Sequence, residues 1–147
     1  MTNQEILLSK ILRDAGYSVT KQRQIVFEIL NDSEPLSMSE IIIRAKGQLD
    51  RASIYRIISL FDHLGITQRL NIGWKYKIEL TDKFAEHHHH LTCLKCHSVT
   101  PINQQKLESF IDLIASQQSF KPIEHQLEIQ GLCQNCQGIR VGSQQVR

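Results

Sequence analysis

The chain has 147 residues, 41% of them apolar and 22% charged, with a formal net charge of +2. That length admits one domain or two small ones. No apolar run approaches the roughly 18 residues of a membrane span, and no cationic segment with a cleavable apolar stretch opens the chain, so neither a membrane protein nor an exported disulfide scaffold is expected, and a reducing cytoplasmic setting is.

Ile6, Leu7, Ile11, Leu12 and Ala15 recur at helical spacing, and Gly16 offers a stop. Thr20 is placed to cap a second helix that carries Ile25, Val26, Ile29 and Leu30 on one face. Pro35-Leu36 breaks that run. Ser37-x-x-Glu40 then reads as a capping box, each side chain satisfying the other's free backbone N–H, and opens a short third helix through Ile41, Ile42 and Ala45. A fourth helix is predicted over 52–64, with Ile54, Ile57, Ile58, Phe61 and Leu64 on one side and Gly65 at its left-handed end. Strand-like segments at 66–70 and 74–80, joined at Asn71-Ile72-Gly73, read as a β-hairpin, with Trp74 and Tyr76 expected to pack it against the fourth helix.

Short helices followed by a hairpin outline a winged helix-turn-helix over residues 1–81. The fourth helix keeps Ser53, Tyr55, Arg56 and Ser59 off its apolar stripe, and side chains of that kind reach phosphates and base edges when such a helix enters a major groove. The plainer alternative for the same segment is a solvated helix face. Up to Thr81 there are eleven Lys/Arg against nine Asp/Glu, and the remainder balances at six against six, so charge leans only slightly towards a nucleic-acid partner.

Residues 82–86 are polar and read as a hinge. Beyond them, 87–92 and 98–102 look like strands, 104–117 is helical with Leu107, Phe110, Ile111 and Ile114 in register, and 123–130 alternates as a third strand before Gly131. A β-β-α-β unit over 87–137 has a small core and needs metal, a partner chain or both. Residues 138–147 read as a flexible tail. The expected fold class is therefore α+β, a winged-helix domain followed by a small second domain.

The second half carries the strongest chemical signal. His87, His88, His89 and His90 stand just before Cys93-x-x-Cys96, and Cys133-x-x-Cys136 follows near the C-terminus, using all four cysteines of the chain. Two CxxC pairs supply the four thiolates of a closed tetrahedral zinc site. Four sulfurs leave no room in that site for the histidines, which point to further, more exchangeable metal sites. In an extended segment His87 and His89 face one way and His88 and His90 the other, so one run feeds two sites. A structural zinc beside separate histidine sites outlines a metal sensor. His63 and His97 read as ordinary surface or helix-end residues.

Val19-Thr20-x-x-Arg23, Ala52-Ser53-Ile54-Tyr55-Arg56, Gly65-Ile66, the histidine run, both CxxC pairs, His125 and Gly131-Leu132-Cys133 occur in an order and spacing by which nearly the whole chain resembles the ferric uptake regulator family of metal-dependent bacterial transcription regulators. The resemblance implies a DNA-binding domain, a hinge and a dimerisation domain, and a homodimer that represses iron- or zinc-uptake genes by binding a roughly palindromic operator when loaded with metal. It assigns operator contacts to Arg23, Arg51, Ser53, Tyr55 and Arg56. It adds Glu108 and His125 to His87 and His89 as one ligand set, and Glu79 to His88 and His90 as the regulatory set. His3Glu suits Zn(II), and Fe(II) or Mn(II) acceptably.

The chain also departs from the family pattern. Pro35 stands where iron-type members offer a histidine, Pro101 where many offer a carboxylate, and Ser18 where a lysine often reaches the minor groove. Glu34, Gln68, Asp82 and Glu86 are the candidates for completing the regulatory shell. An enzyme is not expected, because catalytic zinc keeps an open position, a four-ligand site has none, and no HExxH is present. The competing reading is a zinc store or chaperone, for which a recognition helix is superfluous.

Overall fold

The computed structural model of the chain describes residues 2–31 and 33–138. They form two compact units that divide between Glu86 and His87. Of the tail expected over 138–147, only Gly138 belongs to the described residues, and the rest lies outside them. No described helix is long and apolar enough to cross a membrane.

The first unit runs α1 (Asn3–Asp14), α2 (Lys21–Asn31), α3 (Met38–Arg44), α4 (Arg51–His63), β1 (Thr67–Ile72) and β2 (Lys75–Leu80). Local chemistry sets most helix starts. Thr2 and Glu5 form a capping box for α1, Ser37 and Glu40 form the expected one for α3, and the Thr20 hydroxyl accepts the Arg23 N–H at the start of α2. One stripe from each helix meets in a core of Leu8, Leu12, Phe27, Leu30, Ile41, Ile54, Ile58 and Phe61, closed by Ile66 and Ile78. Ser37→Ala removes two bonds to Glu40 and leaves an N–H of α3 unpaired; we expect a loss of about 0.5–2 kcal/mol, read as a lower urea midpoint for the first unit.

The hairpin pairs from Thr67↔Leu80 to Ile72↔Lys75, so its loop is Gly73-Trp74, two residues later than the sequence reading placed it. Gly73 takes φ +61, which a two-residue hairpin loop asks of its first position. Trp74 does not pack against α4, because a loop-tip residue cannot reach back to the helix; its side chain is 87% exposed. Tyr76 does pack against the core. Leu36 exchanges two backbone hydrogen bonds with Ile78, adding a short third edge to the wing where the sequence showed only a helix break. Phe84, within the polar segment 82–86, is buried edge-on against Phe27 at 5.0 Å between ring centres.

The second unit holds β3 (His89–Cys93), β4 (Val99–Ile102), α5 (Gln105–Gln117) and β5 (Glu128–Gly131). The sheet order is β4-β3-β5, with β3 antiparallel to β4 and parallel to β5. The third strand is shorter than expected, because residues 123–127 stay outside the sheet and Ile123 is 98% exposed. α5 buries no residue, leaving Phe110, Leu113 and Ile114 about half exposed, and among the described residues of the unit Cys93 and Val99 are the buried apolar side chains. Apolar burial is thus scant within a single chain. Metal ligation and a covering partner are the two physical remedies.

Candidate metal centres

Cys93 ends β3, and a tight turn follows in which the Cys93 N–H donates to the Ser98 carbonyl and the His97 N–H to the Cys93 carbonyl. His97 sits at φ +61, the left-handed conformation that turn imposes. The second CxxC makes a matching turn, with the Cys136 and Gln137 N–H groups both donating to the Cys133 carbonyl. Pairing of Cys93 with Gly131 across β3 and β5 brings the two turns together. All four cysteines are free thiols, and their sulfurs lie within 4.8 Å of one another. Cys96 and Cys133 are 3.7 Å apart. Four sulfurs at about 2.3 Å from a zinc ion form a tetrahedron with edges of about 3.8 Å. The donor set fits a structural zinc.

The thiols differ in how readily they ionise. Backbone N–H groups of Cys133, Cys96 and Lys95 hold Cys93 down to about 5. The Ser98 hydroxyl lowers Cys96. Contact with the Cys133 sulfur, followed by burial, pushes Cys136 up to about 12. A bound metal ion would offset the mutual repulsion of four such thiolates.

A second ligand set lies at the other end of β3. His87 and His89 come from the approach to the strand and its first residue, Glu108 from the first turn of α5, and His125 from the segment before β5. Glu108 receives His89 Nε2 at 2.8 Å on one oxygen and His125 Nε2 at 2.9 Å on the other, with His87 Nε2 3.9 Å away. His87 and His125 meet Nε2 to Nε2 at 3.0 Å. Nitrogen and oxygen ligands about 2.1 Å from an ion stand about 3.4 Å apart in a tetrahedron, and these separations bracket that value. Burial raises the Glu108 carboxyl, but the hydrogen bond from His89 and the three nearby imidazoles outweigh it and hold the group below the usual carboxylate range. His89 is 1% exposed, and among the described residues its Nδ1 has no partner, so its ring is fixed by packing and by Nε2. The alternation of the run was the sequence signal for His87 and His89, while Glu108 and His125 were implied by the family resemblance alone.

His88 and His90 turn to the opposite side, with ring centres 4.7 Å apart, and His90 is buried. Pro101 pairs with His90 on β4, so the strand position opposite that histidine offers no carboxylate. Glu79 lies in the first unit on β2, buried, and accepts a 2.6 Å hydrogen bond from Gln68 Nε2 across the hairpin. Gln68 therefore engages the Glu79 carboxylate through its amide donor.

Of the residues expected at a DNA surface, Arg51, Tyr55 and Arg56 are exposed on α4, and Arg51 stacks over the Tyr55 ring at 5.6 Å. Ser53 does not join them. It is 8% exposed because its backbone N–H and hydroxyl both donate to Asp50, the N-cap of α4, and its hydroxyl accepts Arg56 Nη2 at 3.3 Å. Ser53 thus fixes the helix start and the Arg56 side chain. Arg23 donates to the Ser18 carbonyl, stacks over Tyr17, and lines with Arg56 a cleft of about 230 Å³ between α2 and α4. Asp50 and Tyr17 were missed by the sequence reading; an Asp four residues before the first apolar position of α4 was the signal available for the cap.

The sequence model of the ferric uptake regulator family matches residues 14–130. The chain is 29% identical over 145 residues to the ferric uptake regulation protein of Bacillus subtilis (strain 168), covering 94% of this chain and 97% of that one. It is 34% identical over 136 residues to the ferric uptake regulation protein of Yersinia pestis, covering 87% and 90%. Among solved structures, it is similar to the Vibrio cholerae ferric uptake regulator at a TM-score of 0.70 and 30% identity, covering 85% of this chain and 98% of that one. It is also similar to the Helicobacter pylori ferric uptake regulator, described as having three functional metal binding sites, at a TM-score of 0.77 and 25% identity, covering 92% and 95%.

Proposed function

The chain belongs to the ferric uptake regulator family of metal-responsive, DNA-binding regulators, which are not enzymes, and from that premise we propose that it is a cytoplasmic, homodimeric repressor of iron- or zinc-uptake genes that binds operator DNA when its regulatory site is loaded. The observation that carries this reading is the sorting of one histidine run into two sets, His87 with His89 and His88 with His90, in a chain whose α4 exposes Arg51, Tyr55 and Arg56. The four cysteines hold structural Zn(II). His87, His89, Glu108 and His125 hold a second ion within the second unit. His88 and His90, with Glu79 by family assignment, supply the regulatory ligands, whose mixed nitrogen and oxygen donors accept Zn(II), Fe(II) or Mn(II). A second copy covering Phe110, Leu113 and Ile114 accounts for the bare face of α5. A zinc store would have no use for the basic face of α4.

The test is selection of duplexes from a randomised pool by the full chain, with Zn(II), Fe(II), Mn(II) or chelator present. Metal-dependent recovery of a common, near-palindromic sequence supports the proposal; equal retention with chelator overturns it. On the selected duplex Arg56→Ala is expected to weaken binding by about 1–3 kcal/mol, as for loss of a bidentate base or phosphate contact. Zinc content and dimerisation should stay unchanged. Unaltered affinity would mean that α4 is not the reader.

A further inference from the structure

The basic face of α4 opens on a carboxylate. Asp50 caps the helix, and both of its oxygens are taken by one residue: Oδ1 accepts the Ser53 N–H at 2.9 Å and Oδ2 the Ser53 hydroxyl at 2.6 Å. A serine hydroxyl has a single proton, and here it is committed to Asp50. What the hydroxyl turns towards the helix surface is therefore its lone pairs, and Arg56 Nη2, three residues on, donates to them at 3.3 Å. Hydrogen bonds from the Ser53 hydroxyl and N–H, with a smaller pull from the Arg56 charge, hold the Asp50 carboxyl below its usual range, so it remains an acceptor at neutral pH. A helix cap needs only the first of these three bonds. Ser53 is buried, whereas Arg56 is exposed. One guanidinium N–H is engaged by Ser53, and others stay available for a base edge.

We infer that Asp50 and Ser53 are positioning residues that set how sharply Arg56 discriminates between bases. This rests on the DNA-binding reading above and deepens it. A phosphate accepts a guanidinium from many directions, but guanine O6 and N7 accept its paired N–H groups in one plane. A guanidinium held in one orientation beforehand loses less rotamer freedom on meeting that plane. The hold therefore favours the base edge over the backbone.

The test uses the metal-loaded full chain and the duplex it selects. Single-pair substitutions across that duplex first locate the base pair whose preference Arg56→Ala abolishes. Ser53→Ala keeps the backbone N–H on Asp50 and removes the hydroxyl. Asp50→Asn keeps a capping oxygen, but its amide N–H groups donate to the Ser53 oxygen and compete with Arg56 for it. Each variant is expected to lower the preference at that pair about three- to tenfold, the range of one hydrogen bond. Preferences at the other pairs and affinity for a random-sequence duplex should stay at their wild-type values. In the Arg56→Ala background neither substitution should change the preference further, since both act through that side chain. An unchanged preference at that pair in either variant, or an equal loss on selected and random duplexes, would reduce Asp50 and Ser53 to a helix cap and overturn the inference. If Arg56→Ala leaves the preference at every pair intact, the inference falls and the regulator reading stands. Failure of the chain to bind any duplex overturns both.

Discussion

Cys93→Ser is expected to abolish the ordered second unit. Cys93 is buried at the end of β3, accepts the Cys133 N–H at 3.4 Å, and closes the four-sulfur set that joins the two CxxC turns. Serine offers a harder, more weakly binding oxygen and a poorer fit to the tetrahedron. Structural zinc contributes on the order of 10–16 kcal/mol in small metal-bound folds, while whole domains hold only about 5–15 kcal/mol in reserve. The second unit has almost no apolar core to make up that loss, since α5 buries nothing within the chain. Zinc content should fall by one ion per chain, and size-exclusion should give monomer or aggregate in place of dimer. Cys133→Ser should behave the same way. A zinc-deficient dimer that elutes and melts normally would remove the structural role from the cysteines.

What was legible in the sequence follows the range of the interactions concerned. Capping boxes and helical stripes act over three or four residues, so Ser37-Glu40 and the apolar faces of α2 and α4 could be read directly. The clustering of the cysteine pairs was equally legible, because CxxC spacing places two thiols in one tight turn. The misreadings concern partners distant in the chain or choices between near-equal local options. The hairpin loop slipped by two residues because Asn71, Gly73 and their neighbours offer competing turn chemistry, and cross-strand pairing decided for Gly73-Trp74. Leu36 became a strand edge only because Ile78 meets it. Ser53 looked like a groove contact but its hydroxyl serves Asp50, and Phe84, in a polar stretch, turned inward because Phe27 receives it. Ile123 alternates with its neighbours like a strand residue, yet among the described residues it belongs to no strand, and the ladder with β3 begins only at Glu128.

The two histidine faces should separate stability from response. His125→Ala opens a set contained within the second unit, leaving His87, His89 and Glu108 with one ligand missing and Glu108 without one of its two closest imidazoles. An ion present at about 100 times its dissociation constant contributes about 2.7 kcal/mol through mass action. Its loss is expected to lower the melting temperature by roughly 10 °C or more, given about 4–8 °C per kcal/mol for units of this size. His125→Ala should affect operator binding only in proportion to that loss. His90→Ala leaves the first set intact and removes a ligand from the proposed regulatory ion, so metal-dependent operator affinity should vanish while the melting temperature falls far less. His88→Ala, at a less buried position, should repeat the pattern and separates ligand loss from any cavity left by the buried His90 ring. The asymmetry follows because an ion shifts a conformational equilibrium only by its difference in affinity for the two states. An ion bound equally well in both states stabilises the protein without switching it. The measurement is a paired comparison of melting temperature and metal-titrated operator affinity for the three variants. If His90→Ala and His88→Ala still bind the operator in a metal-dependent way, the lack of ligands at Pro35 and Pro101 has left the second face without a working ion, and sensing belongs to His87, His89, Glu108 and His125.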